Sequence, residues 1–243
     1  MHFVGLVLAG ALALPPLAEL PTIQRLTYSA KPVYCAGLRG RYVALTFDDG
    51  PGPYTLRLVR VLRRERARAT FFVVGSRVGV WPDSVRAARS VGALGNHTWS
   101  HPTLIGLSPT AARTELERTQ QVVARTIGLV PRLFRPPYEK ATPAQDRIAR
   151  SLGLLDVRWN VDGGDSRPRA RPKAVVRTVK AKLRPGAIIL LHDLHSWTPA
   201  VARTLIHEAR RRGLRLATVP DLLSRQPPSR RQLSSRGVAR CPL

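Results

Sequence analysis

The sequence contains little cysteine and few acidic residues. Among its 243 residues are two cysteines, Cys35 and Cys241, and 15 acidic residues against 40 basic ones. Two cysteines are too few for a disulfide-rich scaffold, and their separation excludes a metal site built on closely spaced cysteine pairs. They either form one bridge that ties the two ends of the chain together or remain free thiols, and the sequence leaves both alternatives open.

Long hydrophobic runs and internal repeats are also absent. The apolar run from Phe3 to Leu14 is too short to span a bilayer. It is typical of a secretory signal, predicted at residues 1–18, and the alternative is an apolar N-terminus that is docked on the protein or disordered. The length predicts one domain, assigned to residues 41–223, with an N-terminal extension at 19–40 and a basic, flexible tail at 224–243.

Three short motifs, far apart in the chain, carry carboxylates and imidazoles. They are Thr46–Pro51, His97–His101 and Leu190–Asp193, and each is placed at the end of an apolar, strand-like run. Taken singly, they are typical of an ordinary turn, of surface histidines and of a strand end. Their occurrence together favours the active site of a metal-dependent hydrolase.

The residue types in the first two motifs explain this interpretation. His97 and His101 are four residues apart, a spacing at which two imidazoles reach one metal ion. Asp49 completes a three-ligand set with an open fourth position, where a water is activated. Because adjacent strand residues point to opposite sides, Asp48 is predicted to face the reacting centre as a general base.

Strand-like runs alternate with amphipathic helices along the chain. The predicted strands are Tyr42–Phe47, Ala69–Val74, Ala93–Asn96, Leu133–Arg135, Leu154–Asn160, Ala187–Leu191 and Leu214–Thr218. Three helices are clearest: one capped by Ser108 that ends at Gly128, one over Lys173–Leu183, and one from Thr198 to Gly213. This alternation predicts an α/β fold with a parallel sheet closed, or nearly closed, into a barrel, with catalytic groups at the carboxyl ends of the strands.

From Arg41 to Leu223 the chain resembles the polysaccharide deacetylases of carbohydrate esterase family 4, which have the NodB-like homology fold. The resemblance rests on five motifs, which stand at Thr46–Pro51, His97–His101, Arg135–Tyr138, Asp162–Ser166 and Leu190–His192. It implies a distorted (β/α) barrel of about seven parallel strands, in agreement with the predicted alternation.

The resemblance also implies catalytic roles. Asp48 is the general base, and Arg135 pairs with it and keeps it ionised. His192 is the general acid that protonates the departing amine, while Asp162 orients His192 and raises its proton affinity. The backbone N–H of Tyr138 stabilises the oxyanion.

The implied metal ligands are those already selected by spacing, Asp49, His97 and His101. Zinc is the expected cofactor, with cobalt or nickel as substitutes. Three aromatic residues near the motifs are candidates to stack on a sugar ring, although core packing is an alternative for the first: Trp99, Tyr138 and Trp197. Two positions depart from the family pattern, since Ser166 replaces a usual Trp and Glu139 replaces a common Gly.

The activity implied is metal-assisted removal of N-acetyl groups from polysaccharides that contain N-acetylglucosamine, such as peptidoglycan or chitin oligomers. Two alternatives remain: an O-acetyl xylan esterase on the same site, and a non-catalytic cell-wall-binding protein that retains the fold. We expect a secreted or wall-associated monomer. The net charge of +25 favours anionic cell-wall polymers as partners, whereas no nucleic-acid recognition motif is visible.

Overall fold

The computed structural model describes residues 22–28, 31–233 and 241. Within these residues the strands form one curled parallel sheet in the order β5-β4-β3-β2-β1-β7-β6, with β8 paired to β1. The strands are β1 Tyr42–Asp48, β2 Ala69–Val73, β3 Gly92–Asn96, β4 Leu133–Phe134, β5 Leu155–Asp156, β6 Val161–Asp162, β7 Ile188–His192 and β8 Arg215–Leu216. This architecture confirms the distorted barrel predicted from the sequence.

Ten helices of the described residues surround or flank the sheet. They are α1 Thr22–Tyr28, α2 Thr55–Arg64, α3 Gly75–Val78, α4 Pro82–Val91, α5 Pro109–Ile127, α6 Pro143–Ser151, α7 Pro172–Lys182, α8 Thr198–Arg211, α9 Val219–Arg225 and α10 Arg230–Leu233. No helix among the described residues is both long enough and apolar enough to cross a membrane.

The helix α5 begins and ends where the sequence predicts. The Ser108 side chain accepts a hydrogen bond from the Ala111 N–H, and Pro109 occupies the first turn, where its missing N–H costs nothing. Gly128 ends the helix in the left-handed conformation, at a φ of 72°. The other two predicted helices are confirmed within two residues at each end.

Strand β1 lies at the centre of the sheet and divides its side chains between two layers. Val43, Leu45 and Phe47 belong to the larger core between the sheet and the outer helices. Ala44 belongs to a second core inside the curled sheet. Because side chains alternate along a strand, Asp48 points to the same inner side as Ala44, although it is a charged residue that is 3% exposed.

The run Leu154–Asn160, predicted as a single strand, contains only the short strand β5 and an isolated bridge between Val157 and Val33, and β6 begins just after it. Strands β5 and β6 lie at opposite edges of the sheet, and the four residues between them cross the open side of the barrel. Hydrogen bonds to two other segments hold the residues between the two strands. The Arg158 N–H donates to Val33, and the Asn160 carbonyl oxygen accepts from the Ile188 N–H.

The chain on both sides of residues 41–223 packs onto the barrel. Gln226 is 3% exposed, accepts a hydrogen bond from the Tyr42 N–H and donates one to the Gly37 carbonyl. A buried amide with two backbone partners therefore holds the chain at Gln226, a position that the sequence assigned to the flexible tail. The predicted signal at residues 1–18 lies outside the described residues.

Cys35 and Cys241 form a disulfide, which decides between the two alternatives left by the sequence. Their Cα atoms are 6.0 Å apart, and 206 residues separate them in the chain. Both side chains are buried beside Tyr34. The bridge therefore joins the C-terminal segment to the segment that leads into β1.

Removing this bridge by the double substitution Cys35→Ser and Cys241→Ser is expected to lower the free energy of unfolding by about 2–5 kcal/mol, because a cross-link over a long loop restricts the unfolded chain. Urea unfolding of the variant, with the reduced wild-type protein as control, measures this loss. Equal stability of oxidised and reduced wild type would contradict the expectation.

Candidate metal centre and active site

Three side chains converge at the carboxyl edge of the sheet. The Asp49 Oδ1 atom lies 3.2 Å from His97 Nε2 and 3.0 Å from His101 Nε2. One ligand atom from each of the three residues lies within 4.8 Å of the others. The structure thus brings together the three residues that the sequence selects as metal ligands.

Hydrogen bonding shows that this cluster fits a divalent cation. The Arg135 carbonyl lies 2.7 Å from His97 Nδ1 and can only accept, so Nδ1 carries the proton and a neutral His97 presents a lone pair at Nε2. Asp49 Oδ1 is buried and has no hydrogen-bond donor among the described residues. A lone pair facing a carboxylate oxygen is repulsive unless a proton or a cation lies between them, and zinc accepts both donor types.

The loop between the two histidines is held by neighbouring polar groups. The Asn96 side chain accepts from the Thr98 N–H and donates to the Leu116 carbonyl. Glu115 of α5 accepts from the backbone N–H groups of Trp99 and Ser100, both at 2.8 Å. Residues 97–101 form a loop rather than a helix, and these bonds hold the loop so that both imidazoles point towards Asp49.

Asp48 is bound by a fully buried arginine. The Arg135 side chain donates through NH1 to Asp48 Oδ1 at 2.8 Å and to Thr46 Oγ1 at 2.7 Å. The other guanidinium nitrogens donate to the carbonyls of Val157 and Arg158. The pairing between Arg135 and Asp48 expected from the family resemblance is therefore present, and it leaves Asp48 Oδ2 directed towards the metal ligands, 3.9 Å from His97.

The carboxylate that contacts His192 is that of Asp165, whereas the family resemblance assigned the orienting role to Asp162. Asp165 Oδ1 lies 2.9 Å from His192 Nδ1, and Oδ2 accepts from the His192 N–H at 2.7 Å. Asp162 instead accepts from the Gly164 N–H at the turn after β6. Asp165, the second carboxylate of the motif, is fully buried and points at His192. Which of the two carboxylates reaches His192 depends on the backbone geometry of this turn.

The environment of His192 favours its protonated form. Burial alone would lower the pKa of His192, but the hydrogen bond and charge of Asp165, with the charges of Asp48 and Asp49, raise it to about 9. A raised pKa keeps a proton on the ring at neutral pH. His192 can therefore serve as a proton donor beside Asp48, to which it is the direct partner in the β1–β7 register.

The three candidate metal ligands, Asp48 and His192 line one cavity of about 240 Å³. Its walls include Tyr138, whose ring lies 4.9 Å from that of His101, and Trp159. Trp159 belongs to none of the five motifs, so the sequence did not mark it as a site residue. The cavity wall also contains Glu139, Asp162 and Ser166.

Trp99 and Trp197, two of the predicted sugar-stacking residues, do not line this cavity. Trp99 lies beneath the guanidinium of Arg118 on α5, 4.0 Å from its carbon atom. Trp197 stacks on His195 with ring centres 4.4 Å apart and packs on the outer core. The proximity of Trp99 and Trp197 to the motifs in sequence therefore does not carry over to the cavity.

Comparison with known proteins identifies the family of this chain. A family model described as polysaccharide deacetylase matches residues 36–157. The peptidoglycan-N-acetylmuramic acid deacetylase PdaC of Bacillus subtilis (strain 168) is 34% identical over 184 residues, covering 75% of this chain and 38% of that protein. A chitooligosaccharide deacetylase of Bradyrhizobium sp. (strain ANU 289) is 37% identical over 203 residues, covering 75% of this chain and 90% of that relative.

The fold is also similar to a solved structure. A CE4 family pseudoenzyme from Bacillus anthracis matches with a TM-score of 0.75 and 26% identity, covering 80% of this chain and 69% of that one. The chain belongs to the polysaccharide deacetylase family, and the resemblance drawn from its motifs is confirmed.

The metal site predicts binding of one divalent ion per chain. His101→Ala removes a ligand, so we expect it to weaken zinc binding by more than the roughly 10–100-fold typical of losing an outer contact. Isothermal titration with zinc measures this change. The matched control is His207→Ala. This substitution removes a surface histidine of α8 that is bonded to Glu65, and it should leave the zinc affinity unchanged. Equal affinities of both variants would contradict the ligand assignment.

Proposed function

We propose that this protein is a metal-dependent hydrolase that removes N-acetyl groups from N-acetylglucosamine-containing polysaccharides, with peptidoglycan or chitin oligomers as the substrate class. The observation that carries the proposal is the convergence of a three-ligand cluster, Asp48 and His192 in one cavity. Relatives named as peptidoglycan and chitooligosaccharide deacetylases support the substrate class.

The proposed reaction has two proton transfers, one to Asp48 and one from His192. When bound by Asp49, His97 and His101, zinc supplies Lewis acidity towards the acetyl carbonyl and lowers the pKa of a water. Asp48, held by Arg135, removes a proton from the attacking water. His192 donates a proton to the amide nitrogen as the C–N bond breaks, which releases acetate and leaves an amino sugar.

The backbone N–H of Tyr138 is proposed to stabilise the oxyanion of the tetrahedral intermediate. Among the described residues, no backbone or side-chain acceptor contacts this N–H. A free donor at a cavity wall matches the requirement that such a group be aimed in advance at developing charge. Cobalt or nickel in place of zinc, secretion to the cell wall and a monomeric state belong to the same proposal.

A second candidate is a binding protein without catalysis. The similarity to a CE4 family pseudoenzyme favours considering it, because that protein retains the fold. The presence of Asp48, His192 and all three ligand residues in one cavity supports the enzyme, since sugar binding alone requires none of them.

Acetate release tests the proposal. The zinc-loaded protein is expected to release acetate from N-acetylated chitooligosaccharides or peptidoglycan, and a chelator should abolish the release. Asp48→Asn keeps the shape of the base but cannot accept the proton, so we expect the rate to fall by about 10²–10⁴-fold. Release from acetylated xylan alone would indicate the O-acetyl esterase. No release from any substrate by the metal-loaded protein would favour the binding protein.

The pH profile tests the proton donor. Because His192 must be protonated to act as acid and Asp165 raises its pKa, activity should fall as the pH rises above this raised pKa. In Asp165→Asn the favourable charge is lost, so this alkaline limb should move to lower pH. Asp162→Asn is the matched control, because its side chain bonds Gly164, and its alkaline limb should stay in place. A shift in the control instead would restore Asp162 to the orienting role.

A further inference from the structure

The loop that carries the Tyr138 N–H adopts an unfavourable backbone conformation. Tyr138 and Glu139 are consecutive non-glycine residues with φ values of 58° and 60°. A side chain disfavours this left-handed region, and glycine occupies it without the same steric penalty. Two such residues in succession require an external restraint if the loop is to hold one geometry.

A buried arginine behind the loop supplies that restraint. Arg158 donates through NH1 to the Glu139 carbonyl at 2.7 Å, and its side chain is 5% exposed. The remaining guanidinium donors point at Asp156, with NH2 at 2.9 Å and Nε at 3.1 Å from its carboxylate oxygens. One planar group therefore binds a rigid carboxylate on β5 and the backbone of the loop at the same time.

The charges around Arg158 fix its position. Burial opposes a charged guanidinium, but the charge and hydrogen bonds of Asp156 outweigh this effect, so that the pKa of Arg158 is raised. Asp146 Oδ1 and Glu139 Oε1 each lie 3.9 Å from a guanidinium nitrogen of Arg158. The guanidinium carbon lies over the ring of Tyr34, 6.0 Å from its centre. If Arg158 moved away, the buried carboxylates of Asp146 and Asp156 would lose their neighbouring positive charge, which is energetically costly.

The same residue is connected to the general base. The Arg158 carbonyl accepts from Arg135 NH2 at 3.0 Å, while Arg135 NH1 donates to Asp48. Arg158 itself does not line the cavity. Any effect of Arg158 on the site therefore passes through its two contacts, the Glu139 carbonyl and Arg135.

We propose that Arg158 is a positioning residue that holds the Tyr138–Glu139 loop in its left-handed conformation and so aims the Tyr138 N–H into the cavity. This inference rests on the proposed function, in which that N–H stabilises the oxyanion. The role follows from the hydrogen bond to the Glu139 carbonyl, which restrains the residue directly after Tyr138.

Arg158→Lys tests the role, because an ammonium group keeps the charge beside Asp156 but lacks the planar fork that reaches both partners. Loss of a whole oxyanion donor costs about 10²–10³-fold in kcat, so we expect a misaimed one to cost about 10-fold. KM should change by less than about 2-fold, since the ground-state carbonyl makes little use of this donor. Thermal unfolding and zinc content of the variant establish that it is folded and loaded.

Rescue distinguishes positioning from general destabilisation. In the Arg158→Lys background, Glu139→Gly removes the steric reason for the restraint and should restore most of kcat. Glu139→Ala is the matched control: it also removes the carboxylate but keeps a Cβ, so it should not restore kcat. Equal rescue by alanine and glycine would overturn the proposal, because the effect would then come from the Glu139 carboxylate.

A readout independent of activity separates this inference from the proposed function. Amide hydrogen exchange at residues 138–140 should be faster in Arg158→Lys than in wild type, and Glu139→Gly should reverse this change more than Glu139→Ala does. Unchanged exchange in a folded Arg158→Lys protein would refute the restraint. If the wild type releases no acetate from any substrate, the proposed function fails while the exchange experiment still decides the role of Arg158.

A second variant covers the case in which Arg158→Lys does not fold. Asp156→Asn keeps Arg158 but removes the charge that orients its guanidinium, so it should give the same pattern with a smaller loss of kcat. Its exchange at residues 138–140 should also rise. Wild-type exchange and kcat in a folded Asp156→Asn protein would count against the proposal.

Discussion

The site depends on the buried guanidinium of Arg135. Its side chain donates to Asp48, Thr46 and the carbonyls of Val157 and Arg158, while its own carbonyl accepts from His97. One residue at the end of β4 therefore orients the proposed base, sets the tautomer of a metal ligand and secures the segment that crosses the open side of the barrel. A buried cation is stable there because each of its three nitrogen atoms donates to at least one oxygen atom.

The charge of the site is opposite to that of the whole molecule. The chain carries a formal charge of +25, whereas Asp48, Asp49, Asp162 and Asp165 all lie in or beside one cavity. Clustered carboxylates repel one another unless cations neutralise them. Arg135 and a protonated His192 supply part of that neutralisation, and the ligand geometry leaves a divalent ion to supply the rest.

The motifs predicted which residues meet better than they predicted individual contacts. Asp48, Asp49, His97, His101 and His192 meet as expected, because parallel strands deliver their carboxyl ends to one edge of the sheet. Asp162 and Asp165 belong to the same motif, and three residues of spacing could not tell which carboxylate reaches His192. The apolar pattern of the run Leu154–Asn160 is typical of one strand, yet only Leu155–Asp156 of this run lies in a strand, and three of its buried side chains are polar.

The amino-acid sequence alone was enough to predict the alternation of strands and helices, the caps of α5 and the residue types that hold a metal, because these follow from local periodicity and side-chain chemistry. Tertiary structure decided which carboxylate contacts His192, that Trp159 lines the cavity while Trp99 does not, and that Arg158 donates to the Glu139 carbonyl beside Tyr138. Each of these outcomes depends on the direction in which a side chain points after the chain has turned, and a turn of one residue changes that direction completely.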